Sequence, residues 1–408
     1  MKRSLPWRLA FGALAVLSAA SCAREVDIYY TASLDGKLDG CTCFGYPTAG
    51  LVKTARLLRA RDRASSILLD AGDLYEAGPN VFLARELREA YGELGYDAVA
   101  AGEQDTSNGL EAFMADVRAG AFRAQNLEVD GAPIGSRSPL LLQKGGLRVL
   151  VMTLTGQESF DLYPKEFRAR LRFEPPDVVI ERSLASWPGV DFAVVLYHGG
   201  VATASRIASR HRGIAAVIVG HERKLIDGAA AGGALVYSPG EDGNRVGILR
   251  LRAPRFGAKR LENRFVLFDY LKDADDAAIR ERVMRYNDYF VRTTGLERDV
   301  EASPGSGASG VFEFSYFYDP NCRSCIDFLG KTLPAVSRAT STLIRAHKRN
   351  IQDPAELTVL DAELAKRGLS ESAFPVVVSE DAVLQGEGDI QARFEQLVRS
   401  GRQPSPAR

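Results

Sequence analysis

The chain has 408 residues, with 52 Lys and Arg balanced by 52 Asp and Glu, and 46% of it is hydrophobic. That is an ordinary globular composition, long enough for two or more domains. With no basic excess and no basic cluster interleaved with aromatics, nucleic acid is excluded as an expected partner.

At the N-terminus, Met1-Lys2-Arg3 and Arg8 precede an apolar run, Leu9 to Ala20, too short to span a bilayer and charged like a secretory signal. The run ends in Ala19-Ala20-Ser21-Cys22, which resembles a bacterial lipobox. Residues 1–21 are therefore expected to be a signal peptide. Cys22 would carry a lipid that anchors the chain to a membrane of the cell envelope, facing the periplasm. Ala23 is not an inner-membrane retention aspartate, which points to the outer membrane. The other four cysteines form two close pairs, Cys41-Thr42-Cys43 and Cys322-Arg323-Ser324-Cys325. In an oxidising compartment such pairs form disulfides, structural or redox-active. Loops this small gain little chain entropy, which favours chemistry over stapling.

The first strand is predicted over Val26 to Thr31, as the edge of a sheet, followed by a glycine-rich loop from Ser33 to Gly50 and a basic helix from Leu51 to Arg63. Residues 81–120 show helical periodicity, Arg123 to Glu128 reads as a short strand, and Leu147 to Leu154 as a buried one. Phe192 to Leu196 and Ile214 to Val219 are β-branched runs joined by a helical segment, the pattern of two parallel buried strands. Each ends in a histidine beside glycine, His198 and His221. The carboxyl ends of parallel strands are where open α/β sheets bind ligands. One such histidine reads as a hydrogen-bonded loop group; two, in a chain with only four histidines, point to half of a metal site. Strand, helix and strand alternate throughout, predicting an α/β sandwich of two sheets flanked by helices, closing near Phe268.

These motifs resemble those of the calcineurin-like metallophosphoesterases, specifically the catalytic domain of periplasmic 5′-nucleotidases, over residues 26–268 of an expected domain 22–268. Ile67 to Asp73 matches the family's GD motif, Tyr96 to Leu110 has the frame of GNHE, and Tyr237 to Gly247 is similar to the closing strand and turn. The chain departs from the pattern at Ser33 and Asp35 of DxH, at Glu103 and Gln104 of GNHE, and at Arg223 of GHxH. The resemblance implies that one ion's ligands have become Ser33, Asp35, Asp73 and Arg223, and a guanidinium repels a divalent ion. The other set, Asp73, Glu103, His198 and His221, remains suited to one zinc, manganese or iron ion. The family clamps the reacting oxygens between two ions, and its assisting histidine is Gln104 here. The expectation is a silent scaffold.

Family nucleotidases continue into a nucleoside-gripping domain. Here residues 269–310 read as an amphipathic helix, Asp273 to Thr293, and a small-residue linker, Glu301 to Gly310. A different unit, 311–403, follows. It begins with a strand, Val311 to Tyr318, and Asp319 to Cys325 opens a helix running to Arg338. A strand from Leu343 to Lys348, helices from Pro354 to Arg367 and from Asp389 to Ser400, and Ala373 to Val378 complete a resemblance to thioredoxin-like domains. That resemblance implies attack by Cys322 as a thiolate, resolution by Cys325, and a cis-proline at Pro375. A zinc reading of the pair needs two more ligands, and this stretch supplies only His347. Cys41 and Cys43 read as thiolate ligands, a labile redox pair or a surface disulfide. The leading expectation is a lipid-anchored thiol-disulfide oxidoreductase that needs no cofactor and meets a periplasmic thiol or disulfide protein. The alternative is a phosphoesterase with a rebuilt mononuclear site.

Overall fold

The strand Arg24–Thr31 buries Val26, Ile28 and Tyr30 on one face and turns Tyr29 to the other, because side chains alternate across a strand. The computed structural model describes residues 24–40, 48–228, 234–254, 257–270, 272–294, 299–305, 307–319, 322–351, 353–370 and 373–401. Cys22, Cys41 and Cys43 lie outside the described residues. In it, Arg24–Thr31 runs parallel to Ser66–Asp70 on one side and antiparallel to Arg245–Ala253 on the other. It is therefore central in its sheet, not the expected edge. The returning strands Arg245–Ala253 and Arg260–Leu267 cover what would otherwise be a row of unpaired backbone groups.

The second sheet is built around Phe192–Gly199, which lies parallel to Leu147–Thr155 and to Ala216–His221. Phe192, Val194 and Leu196 face the first sheet, while Ala193, Val195 and Tyr197 face helices Pro176–Ser186 and Val201–Arg210. Burial on both faces explains the unbroken apolar run. On the outer face of the first sheet lie helices Gly50–Ala60, Val81–Leu94 and Leu110–Arg118. The result is the predicted two-sheet sandwich with helices on each side.

Helix Ala277–Thr294 belongs to this unit, although residues 269–310 read as a connecting segment. Its Ile279, Val283 and Tyr286 enter the same core, and Phe290 also touches the core of the last unit. Buried Arg282 donates to Glu86 at 2.9 Å, to Glu89 at 3.0 Å and to Glu93. Exchanging Arg282 for Met leaves the buried Glu86 with only the half-exposed Arg285, at 3.0 Å, and Arg85, at 3.6 Å, and should lower stability by about 1–2 kcal/mol, read as a lower denaturant midpoint for this unit.

The last unit is a five-stranded sheet in the order Val300–Ala302, Leu343–Asn350, Val311–Tyr318, Val376–Val378 and Val383–Gln385. It starts earlier than expected. Val300–Ala302, within the stretch read as connecting helix and linker, pairs with Leu343–Asn350, and the Ala302 carbonyl accepts from the Ser337 hydroxyl at 2.9 Å. The peptide between Phe374 and Pro375 is cis, as expected at that position.

Candidate metal centre

Four side chains converge where parallel strands of both sheets end. Asp73 follows strand Ser66–Asp70, Glu103 follows Ala98–Val99, His198 lies near the end of Phe192–Gly199, and His221 ends Ala216–His221. One ligand atom from each lies within 4.8 Å of all the others. His198 is fully buried, and its Nδ1 lies 2.7 Å from the Ala71 carbonyl. A carbonyl only accepts, so Nδ1 carries the proton and Nε2 is left to face Glu103 at 2.7 Å and Asp73 at 3.5 Å. This backbone brace is the usual way a ligating imidazole is oriented. His221 Nδ1 lies 3.1 Å from the other Glu103 oxygen.

Burial opposes charge on His198, but Asp73 and Glu103 outweigh it and raise the ring above its ordinary range. Burial also pushes Glu103 up, yet the two imidazoles hold it well below the usual carboxylate range. The cluster thus draws positive charge to its centre. Two imidazoles and two carboxylates at this spacing are a donor set that fits one divalent ion.

Asp105, which drew no role in the sequence, organises the loops that carry two of these ligands. Its carboxylate accepts from the backbone N–H groups of Gly102 at 2.8 Å, Leu74 at 2.9 Å, Tyr75 at 3.1 Å and Asp73 at 3.2 Å. The available signal is its place two residues after Glu103 in a glycine-led turn, a position from which a short acidic side chain collects backbone donors. In Asp105→Asn an amide NH2 meets those donors. Ion affinity should fall about 10- to 100-fold while the fold persists, measured by titrating metal-free protein followed by circular dichroism.

Asp35 and Ser33, at the positions of the other implied ligand set, are not among the four clustered donors but border them. Asp35 Oδ1 accepts from Arg223 at 3.0 Å and from the Gln104 amide at 2.8 Å, and that amide also donates to Asp73 at 3.0 Å. Buried Ser33 accepts the His221 backbone N–H at 3.3 Å. Burial, opposed by Arg223, raises the Asp35 carboxyl to about 7. Among the described residues, eight non-glycine positions have positive φ, and Ser33, Asp35, Asp73, His221, Arg223 and Asp242 are six of them. Such backbone costs about 1–3 kcal/mol per residue and collects at working sites.

In the last unit, Cys322 and Cys325 are joined as a disulfide with Cα atoms 5.3 Å apart, Cys325 being fully buried and Cys322 partly so. His347 instead lies 3.1 Å from Asp299, and among the described residues no group of three or more metal donors includes it or either cysteine.

No family model matches the chain. It is 27% identical over 282 residues to the snake venom 5′-nucleotidase of Crotalus adamanteus, an alignment covering 62% of this chain and 47% of that protein. The chain spans half or less of the length of the curated relatives it matches. A 5′-nucleotidase precursor from Thermus thermophilus superposes with a TM-score of 0.56 at 17% identity, covering 72% of this chain and 69% of that one. A calcineurin-like phosphoesterase from Bacillus subtilis gives 0.54 at 16% identity, covering 66% of this chain and 99% of that one. The two-sheet unit therefore has the 5′-nucleotidase-like fold of the calcineurin-type phosphoesterases, with a candidate metal site where its parallel strands end.

Proposed function

We propose that the protein is a metal-dependent hydrolase of phosphate esters, working at a one-ion centre held by Asp73, Glu103, His198 and His221. What supports this over the expected silent scaffold is the convergence of four donors within 4.8 Å around a braced, buried imidazole. A divalent ion there supplies Lewis acidity toward a phosphoryl oxygen and water. Gln104, tied to both Asp73 and Asp35, holds the two carboxylates in register. The Tyr163 hydroxyl donates to the Glu103 carbonyl at 2.8 Å and steadies that ligand's loop. The substrate class is a phosphate ester, nucleotides included.

Protein stripped by a chelator and reloaded with Zn2+, Mn2+ or Fe2+ should hydrolyse members of a phosphomonoester, phosphodiester and nucleotide panel, and the stripped sample should not. A protein that retains no ion and turns over none of these esters is not this hydrolase.

A second reading rests on the Cys322–Cys325 disulfide beside a sheet that resembles thioredoxin-like domains. In it, the reduced Cys322 thiolate attacks a partner disulfide and releases one partner thiolate. Cys325 then displaces the other, leaving the pair oxidised and the partner reduced. Cys41 and Cys43, which lie outside the described residues, are the proposed internal partners because they are the chain's other close thiol pair. A periplasmic thiol or disulfide protein is the proposed external one, with the chain anchored through Cys22. Cys322→Ser should abolish reduction of a disulfide probe by dithiol-treated protein; unchanged turnover eliminates this reading.

A further inference from the structure

Arg223 ends a chain of contacts that starts at the metal centre. Asp73 shares the Gln104 amide with Asp35, and the same Asp35 oxygen accepts from Arg223 Nη2 at 3.0 Å. On its other side, Arg223 Nε lies 3.7 Å from Glu241. Asp35, Glu241 and Asp242 form a second acidic group, but Arg223 already sits against two of its members, and Lys37 and Arg223 both favour the charged form of Asp242 against its burial. A divalent ion placed there would face a guanidinium, so the residues do not fit a second ion.

The guanidinium is held along one side and open on the other. Its side chain is 45% exposed, and a guanidinium offers five N–H donors. Asp35 and Glu241 engage Nη2 and Nε, leaving Nη1 for a ligand. Nη1 keeps two N–H donors, enough for a charge-assisted hydrogen bond to an oxygen of a tetrahedral oxyanion. Left-handed backbone at both His221, φ 81°, and Arg223, φ 56°, accompanies the delivery of one metal ligand and one cation from the same turn.

We propose that Arg223 takes the place of a second cation: it grips a non-bridging oxygen of a phosphoryl group seated over the four-donor centre. This rests on the hydrolase reading. The chain thus binds a phosphate ester between one exchangeable ion and one permanent positive charge.

The test uses the full protein loaded with Mn2+, as wild type, Arg223→Gln and Arg223→Lys. Ion content is measured by mass spectrometry, and binding of inorganic phosphate and of phenylphosphonate, a non-hydrolysable ester mimic, by calorimetry. The expected result is a single ion per chain in all three. Both anions should bind about tenfold or more weaker in Arg223→Gln and to an intermediate degree in Arg223→Lys, the loss of one charge-assisted contact. Two ions in the wild type overturn the assignment while leaving the hydrolase reading intact. No ion in the wild type overturns both. Undiminished anion affinity in Arg223→Gln also overturns the assignment, as does loss of the ion from that variant, which would make Arg223 a brace for the site.

Discussion

His198→Ala should empty the metal centre. The ring is fully buried, and its Nε2 faces Glu103 at 2.7 Å and Asp73 at 3.5 Å. Removing it deletes one of four donors and the imidazole that opposes two buried carboxylates, which then repel each other in a poorly solvated crevice. Altering an outer partner of a metal ligand lowers affinity about 10- to 100-fold, and deleting the ligand itself should exceed that range. Ion retention after gel filtration and ester hydrolysis should fall together. Asp73→Asn keeps the shape of the side chain while removing its charge, so it should give the same double loss with less effect on folding. If either variant kept both its ion and its turnover, the four-donor centre would not be the seat of the activity.

Gly102→Ala should be nearly as damaging without changing any functional group. A Cβ at this position runs into the Asp73 carboxylate, meets the Asp73 backbone nitrogen at 2.5 Å and lies 2.9 Å from His198 Cε1. None of these neighbours can yield, because Asp105 and the Ala71 carbonyl hold the loop and the ring. Overpacking of this kind costs about 3 kcal/mol, and it displaces two ligands at once. Gly109→Ala is the matched control. Nothing lies within 4 Å of the added carbon, so the cost is backbone strain alone, about 1–3 kcal/mol at φ +93° and ψ 153°, and ion binding should be unchanged. Thermal melts with and without Mn2+ separate the two: the ion should raise the melting temperature of Gly109→Ala as it does wild type, and not that of Gly102→Ala.

The pairing of His198 with His221 was legible because parallel strands buried on both faces leave an unbroken apolar signal. The polar residue that ends such a strand therefore stands out. Asp73 and Glu103 were legible through the family resemblance of their motifs. Asp105 was not, since its work is done on backbone N–H groups from two separate loops, and no spacing rule shows which loops will meet. The position of Arg24–Thr31 in its sheet was misread for a similar reason: its antiparallel neighbour, Arg245–Ala253, arrives more than two hundred residues later.

Local pattern in this chain determined the strands, the helices between them, the thiol pairs and the identity of the side chains at each strand end, because burial on a sheet imposes its period on nearby residues. The family resemblance already grouped Asp73, Glu103, His198 and His221; what only the tertiary structure decided was how the side chains around them pair. It put one donor atom of each of the four within 4.8 Å of the rest, set Asp35 against Arg223 and laced two of the ligand loops together through Asp105. It also drew Val300–Ala302 out of the expected linker into a sheet. Those outcomes follow from long-range strand pairing and from opposite charges meeting in a buried crevice, and neither quantity is a property of any short stretch of sequence.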